Sequence, residues 1–212
     1  MERLETFVDW EQGDWDSFFV QKGTQWRNKD YRYLNDIFDL RNILNGSLLD
    51  VGCGLGDGLL YLKKKCPQVD RLIGIDISAK AVEINRNNPA LSEMQFFHHD
   101  ILKPLLEKYD NIICLETVEH LEDPQTAMQN LIDAAKEVLI VGVPYRNRRP
   151  DENHLWSFTE DDFSELTDSY SLDKKQKNIY WLIDKQEKGV SFYRKRSYNL
   201  SKFIANLFKP FS

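Results

Sequence analysis

Three glycines alternate with other residues directly after a short apolar segment, in Leu48-Leu49-Asp50-Val51-Gly52-Cys53-Gly54-Leu55-Gly56. Glycine lets the backbone bend sharply and lets a ligand approach it closely. Tight turns also need glycine, so the glycines alone are a weak indication of a binding site. A strand that leads into such a turn, with a helix after it, predicts that a small molecule binds there.

Two carboxylates further along the chain strengthen this prediction. Asp76 ends a second apolar segment, 20 residues after Gly56, where an acidic group can accept hydrogen bonds from both hydroxyls of a ribose. Asp100 and Ile101 follow a third apolar segment, where a carboxylate and an apolar side chain can flank a purine. Since open parallel sheets bind ligands at the carboxyl ends of their strands, these residues predict a nucleoside site.

The glycine spacing argues against a dinucleotide. The fingerprint G-x-G-x-x-G would need a third glycine where this chain has Asp57 or Leu59. Asp50 and Asp57 also place carboxylates where a pyrophosphate would be repelled. A carboxylate near the turn instead suits a ligand that carries an ammonium group and a sulfonium.

Over roughly residues 45–166, the chain resembles class I S-adenosylmethionine-dependent methyltransferases of the small-molecule or glycan type. The resemblance lies in Asp50–Gly56, Gly74–Ser78, His99–Ile101 and Leu115–Leu121. It implies S-adenosylmethionine as the cofactor, with contacts from Asp50, Gly52, Cys53, Gly54, Gly56, Asp76, Ile77, Asp100, Ile101, Leu115 and Glu116. By that resemblance Asp50 and Gly52 lie near the methionine moiety and Asp76 holds the ribose. Leu115 and Glu116 lie near the sulfonium.

Two histidines are candidates for the base that such a reaction can use. Methyl transfer from a sulfonium is an in-line displacement, in which the protein mainly aligns the acceptor and excludes water. A general base helps when the acceptor is a hydroxyl. We predict that His154, in the loop after the fifth strand, is this base, with His120 as the alternative on the opposite wall. The competing interpretation is that these side chains only pack their loops.

Three residues that follow the fourth predicted strand could serve as metal ligands. Glu116, Glu119 and His120 resemble a triplet that can hold a divalent cation in ubiquinone-biosynthesis O-methyltransferases and in small-RNA 2′-O-methyltransferases. Carboxylates and imidazole are competent ligands for Mg²⁺ or Mn²⁺. Many relatives carry Glu-His here without a known metal, so we expect no metal.

The acceptor is predicted only as a class. The chain lacks the Asn/Asp-Pro-Pro-Tyr/Phe motif of amino-methylating nucleic-acid enzymes and a Pro-Cys nucleophile, and its net charge of −6 disfavours nucleic acid. We predict O-methylation of a small molecule, sugar or glycan precursor. The alternatives are metal-assisted methylation of RNA at the 2′-oxygen, and a non-catalytic cofactor-binding subunit that activates a partner.

Positioning these residues requires an α/β scaffold. Apolar strands over 47–51, 71–76, 94–98, 111–115 and 138–143 alternate with helical segments. This predicts a Rossmann-like parallel sheet with helices on both faces, within a domain over residues 46–193. A hairpin of Ile179–Ile183 and Val190–Tyr193 would add a C-terminal antiparallel strand.

The two ends of the chain differ from this central domain. Residues 1–45 are rich in aromatic side chains and predict a helical lid, with helical spacing of apolar residues over Tyr31–Leu44. Residues 194–212 predict a basic amphipathic helix, and from Val190 onward there are five basic residues and no acidic one. Such helices bind membrane surfaces; the alternative is packing against the chain's own domain or a partner subunit.

The composition supports a cytoplasmic location. Hydrophobic residues make up 42% of the chain and charged residues 29%, which is typical of a globular domain. No apolar run approaches the roughly 18 residues that a membrane span needs, and the acidic N-terminus lacks the apolar core of a signal peptide. The three cysteines have no metal-type spacing.

Overall fold

The computed structural model describes residues 1–4, 10–22, 29–146, 153–163, 169–173 and 178–185. The helices are α1 (Gln12–Lys22), α2 (Asp30–Ile37), α3 (Leu40–Ile43), α4 (Asp57–Lys65), α5 (Ala79–Arg86) and α6 (Pro124–Ala134). The strands are β1 (Glu2–Arg3), β2 (Gly46–Val51), β3 (Val69–Asp76), β4 (Gln95–His98), β5 (Tyr109–Leu115), β6 (Ala135–Pro144), β7 (Trp156–Ser157), β8 (Ser169–Asp173) and β9 (Asn178–Asp184). Two short 3-10 turns cover Pro89–Leu91 and Val118–His120.

Seven strands form one sheet in the order β4-β3-β2-β5-β6-β9-β8. The first five run parallel, whereas β9 is antiparallel to β6 and β8 is antiparallel to β9. This confirms the predicted α/β fold, with its parallel sheet and its antiparallel strand near the C-terminus. The short strands β1 and β7 pair separately and join the start of the chain to the loop after β6.

The sheet is apolar on both faces because helices cover each of them. Along β2, Leu48 enters a core layer with residues of α2 and α4, such as Leu34 and Leu59. The next residue, Leu49, enters the opposite layer with Leu131 of α6. Successive side chains of a strand point to opposite faces, so the continuous apolar runs noted in the sequence are explained by burial on both sides.

The closing hairpin differs from the prediction in its partner strand. The strand predicted over Ile179–Ile183 is present as β9, but β8, which precedes it, is its described partner. All seven residues of β9 are buried, since it lies between β6 and β8. The segment Ser169–Asp173 alternates polar and apolar residues, a strand pattern that the sequence analysis missed. The predicted partner, Val190–Tyr193, lies outside the described residues.

Two helices, α2 and α3, occupy most of the stretch Tyr31–Leu44, where helical spacing was predicted. The backbone of Phe38 is extended and ends α2, and α3 begins two residues later. Ile37, Phe38 and Leu40 are all buried. Side chains one and two positions apart do not share a face of a helix, so a break is needed to bury all three. Tyr33, predicted on the buried face, is only half-buried.

None of the helices that the structure describes is both long enough and apolar enough to span a bilayer. The predicted amphipathic helix over residues 194–212 lies outside the described residues, and its membrane contact stays a prediction.

Candidate active site

One large cavity opens at the carboxyl edge of the parallel strands. Its volume is about 750 Å³, which lies in the upper part of the range of roughly 300–1,000 Å³ that small-molecule sites occupy. Its floor comes from the ends of β2, β3 and β5, and α1 lies across it. The predicted nucleoside residues Asp76, Ile77, Asp100 and Ile101 all line it.

The glycine turn forms one wall of this cavity. Gly52 and Gly54 adopt the left-handed backbone that glycine favours, with φ of 70° and 49°. A Cβ atom on Gly52 would collide with the Thr117 hydroxyl. Gly52, Cys53 and Gly54 line the cavity, whereas Gly56 does not. A Cβ atom on Gly56 would come within 2.7 Å of Leu91, so this last glycine serves packing under α4.

Asp76 connects the glycine turn to the start of α5, on the side of the cavity where a ribose is predicted. Its Oδ2 accepts a hydrogen bond from the Gly54 amide at 2.8 Å, and its Oδ1 accepts one from the Ser78 amide at 2.8 Å. Burial raises the pKa of Asp76 to about 6, against the opposing effect of those amides. Each carboxylate oxygen has further lone pairs, so the group can also accept hydrogen bonds from a ligand in the cavity.

Asp50 lies behind the cavity wall and not on its surface. It is fully buried and accepts a hydrogen bond from the hydroxyl of Tyr31 on α2. Burial raises the pKa of Asp50 to about 7, and the charge of Asp76 adds to this effect. Gly58 allows the contact, since a Cβ atom there would collide with the Tyr31 ring. The sequence analysis missed Tyr31, because nothing in its spacing links it to Asp50.

Leu115 and Glu116 line the cavity beside the glycine turn. The backbone of Glu116 is left-handed, with a φ of 51°. Its Oε1 accepts a hydrogen bond of 2.8 Å from the side-chain amide of Asn178, the first residue of β9. The antiparallel strand therefore reaches the cavity through this side chain.

The two candidate histidines lie side by side, which corrects their predicted placement on opposite walls. The ring centroids of His120 and His154 are 4.7 Å apart, and both residues line the cavity. Two contacts tie the loop after β6 to the turn after β5. The amide of Leu155 donates to the carbonyl of Glu119 at 2.8 Å, and His120 Nδ1 lies 2.9 Å from the carbonyl oxygen of Asn153.

The protonation state of His120 follows from its surroundings. Burial, with a smaller effect of His154, lowers the pKa of His120 to about 3, so its ring is neutral at pH 7. We assign the remaining proton to Nδ1, because that atom faces the carbonyl oxygen of Asn153. On its other side, the ring of His120 meets that of Trp15 edge-on at 5.0 Å.

Glu119 is buried next to this histidine pair. Among the residues that the structure describes, neither of its carboxylate oxygens has a hydrogen-bond partner, and burial raises its pKa to about 8, with a smaller effect of Asp30. Ligand atoms of Glu119, His120 and His154 all lie within 4.8 Å of one another. This set could hold a cation, and it differs from the predicted triplet because His154 takes the place of Glu116.

Glu119 should make stability depend on pH. Folding raises its pKa from an ordinary 4.5 to about 8, so the folded state binds the proton more tightly than the unfolded chain does. This group's contribution is therefore fully present below pH 4.5 and is lost as the pH rises through 8. We expect Glu119→Gln to raise the Tm at pH 8 by about 5 °C, with little gain at pH 5.

Thermal unfolding of both proteins at the two pH values measures this difference. Glu122→Gln is the control, because Glu122 is exposed and its substitution should leave the pH dependence unchanged. A gain from Glu119→Gln of equal size at pH 5 and pH 8 would contradict the assignment.

Aromatic residues of the N-terminal region cover the cavity. Trp10, Trp15, Phe18 and Phe19 line it, and Phe19 packs over the glycine turn, within 3.3 Å of a Cβ atom placed on Gly54. Helix α1 is attached to the start of α5 through Asp16, which accepts hydrogen bonds from the Ser78 hydroxyl and the Lys80 amide at 2.5 and 2.9 Å. That this region acts as a lid stays a prediction.

A family model described as a methyltransferase domain matches residues 25–200 of the chain. The chain belongs to this methyltransferase family. The match includes the glycine turn, the strand ends and both candidate histidines, so the cavity at the carboxyl edge is the candidate active site of an enzyme.

Curated relatives of this methyltransferase act on different atoms. The chain is 27% identical over 120 residues to the (S)-tetrahydroprotoberberine N-methyltransferase of Eschscholzia californica, a match that covers 55% of the chain and 34% of the relative. It is 24% identical over 112 residues to the mitochondrial ubiquinone biosynthesis O-methyltransferase of Schizosaccharomyces pombe. That match covers 49% of the chain and 39% of the relative. The chain thus spans between a third and two fifths of the length of these relatives.

A solved structure shares the fold. The N-methyltransferase NodS of Bradyrhizobium japonicum, in complex with S-adenosyl-L-homocysteine, matches with a TM-score of 0.58 and 19% identity. The match covers 75% of this chain and 87% of that chain. The similarity therefore extends over most of the sheet and its helices.

Proposed function

We propose that this methyltransferase transfers a methyl group from S-adenosylmethionine to an oxygen atom of a small molecule, sugar or glycan precursor. The observation that carries the proposal is that one cavity holds both the predicted nucleoside residues and the adjacent pair His120 and His154. A cofactor site and a candidate base thus share one space at the carboxyl edge of the sheet.

The lining of the cavity suits this cofactor. Asp76 has lone pairs for ribose hydroxyls. The turn at Gly52 and Gly54 has no room for a Cβ atom, which would meet neighbouring side chains. Asp57 and Glu116 also line the cavity, and carboxylates favour the positive ammonium and sulfonium groups. When bound, S-adenosylmethionine supplies a methyl group on a sulfonium and becomes the neutral thioether S-adenosylhomocysteine.

His154 takes the acceptor proton in this proposal. As the acceptor oxygen forms its bond to the methyl carbon and the carbon–sulfur bond breaks, the hydroxyl proton moves to the imidazole of His154. Because the neighbouring His120 is neutral, it does not repel the positive charge that His154 gains. The aromatic residues of α1 exclude water from the reacting atoms, which strengthens electrostatic interactions within the cavity.

Calorimetry with the purified chain tests the cofactor assignment. We expect S-adenosylmethionine and S-adenosylhomocysteine to bind, and NAD not to bind, because the dinucleotide fingerprint is absent. Product mass against a panel of sugars, quinones and phenols then tests the acceptor class. Binding of NAD, or of neither sulfur compound, would contradict the proposal.

A metal-assisted transfer is the second candidate, and the cluster of Glu119, His120 and His154 favours it. A divalent cation there would orient the acceptor oxygen and stabilise it as an alkoxide. The first candidate needs no metal, and we therefore expect a chelator to leave turnover unchanged. Loss of turnover with chelator, restored by Mg²⁺ or Mn²⁺, would instead establish the second candidate.

A further inference from the structure

A continuous wall of rings leads away from the candidate base. Trp10 meets Trp15 at 4.8 Å between ring centroids, Trp15 meets His120 at 5.0 Å, and His120 meets His154 at 4.7 Å. Phe18 packs against both tryptophans, at 5.7 and 5.8 Å. All five residues line the cavity, and the two tryptophans and Phe18 are only half-buried, so part of their surface is open to a ligand.

This wall crosses the cavity, from Trp15 and Phe18, which pack against Phe19, Leu55 and Ala81, to the histidine pair. The predicted nucleoside residues follow β3 and β4, which occupy one end of the parallel sheet. His120 follows β5 and His154 follows β6, on the other side of the central strand β2. A nucleoside over β3 and β4 therefore leaves the end of the ring wall at His120 and His154 to the second substrate.

Carboxylates accompany the rings. Glu11 adjoins Trp10 in the chain, Glu122 follows the turn that carries His120, and both line the cavity and are exposed. Asp30 lines it too, and its charge acts on the buried Glu119 beside His120. The acceptor side thus combines aromatic surfaces with negative charge.

Resting on the proposed function, we infer that the acceptor of this methyltransferase carries a positively charged ammonium group. Aromatic faces attract cations through the ring quadrupole, and tryptophan does so most strongly. Carboxylates near the same surface act in the same direction. The ammonium group binds toward Trp10 and Glu11, and the hydroxyl that receives the methyl group faces His154.

Three phenols that differ mainly in charge test this inference. They are tyramine, which carries an ammonium group, 4-ethylphenol, which is neutral, and 3-(4-hydroxyphenyl)propionate, which carries a carboxylate. Calorimetry measures their binding to the chain saturated with S-adenosylhomocysteine. We expect tyramine to bind at least tenfold more tightly than the propionate, with 4-ethylphenol between them. No binding of tyramine, or equal or tighter binding of either other phenol, would overturn the inference.

A double variant locates the preference. Glu11→Gln with Glu122→Gln should reduce the ratio of tyramine to propionate affinity at least threefold, because two exposed charges near the ring wall are removed. Glu93→Gln is the control, since Glu93 is exposed, pairs with Lys63 and does not line the cavity. An unchanged ratio in the double variant would overturn the inference.

Failure of the proposed function gives a different result. If S-adenosylhomocysteine does not bind, the cofactor assignment fails, and the three phenols are then compared with the unliganded chain, whose cavity already contains the ring wall.

Discussion

His154→Ala is expected to lower methyl-transfer turnover at least tenfold while the affinity for S-adenosylhomocysteine stays within about twofold. A general base contributes about a hundred- to ten-thousand-fold to such steps, and this contribution is lost with the imidazole of His154. The cofactor affinity should hold because His154 lies on the acceptor side of the cavity, away from Asp76 and Asp100. Single-turnover methyl transfer with parallel cofactor titration measures both quantities.

His98→Ala is the matched control for that experiment. His98 is an exposed histidine at the end of β4 and does not line the cavity, so its substitution should leave turnover unchanged. Near-normal turnover in His154→Ala would remove this residue as the base. A loss of cofactor binding would instead place the loop after β6 over the nucleoside.

Asp76→Ala should weaken the binding of S-adenosylmethionine and S-adenosylhomocysteine by about 1–3 kcal/mol, the cost of leaving buried polar groups without partners. A loss of this size corresponds to a rise in Kd of about 5- to 150-fold. The variant removes the acceptor of ligand hydroxyls and also the partner of the Gly54 and Ser78 amides. Calorimetry gives the affinity, and thermal unfolding shows whether the chain still folds.

Two further variants separate ligand contact from folding. Asp76→Asn retains the shape and one acceptor oxygen, and we expect it to fold better than Asp76→Ala and still bind weakly. Asp70→Ala removes an exposed carboxylate at the other end of β3. It should change neither the cofactor affinity nor the thermal unfolding. Unaltered affinity in Asp76→Ala would exclude the ribose contact.

The sheet could be predicted from sequence because its strands are short apolar runs between helices. All five predicted parallel strands are present, and β3 begins at Val69, two residues before its predicted start. The break at Phe38 could not be predicted from periodicity. It depends on burial against the sheet, where Phe38 and Leu40 both enter one core layer, and helical spacing does not describe such tertiary packing.

The candidate site could be predicted where a strand end determines a residue's place. Asp76 and Asp100 follow strands, so their arrival at one edge follows from the topology. The contact between His120 and His154 could not be predicted, because it depends on backbone bonds between two loops. The hydrogen bond from Tyr31 to Asp50 could not be predicted either, because it joins the N-terminal region to the interior of the sheet.

The loop that carries His154 is fastened through main-chain atoms. The Leu155 amide bonds to the Glu119 carbonyl, and the Leu155 carbonyl accepts from the Leu4 amide, both at 2.8 Å. Exchanging side chains around the cavity leaves these bonds in place. Library mutagenesis at Trp10 and Phe18 can therefore vary the cavity wall while the backbone of this loop keeps its position, whereas Trp15 contacts the His120 ring and has to be retained.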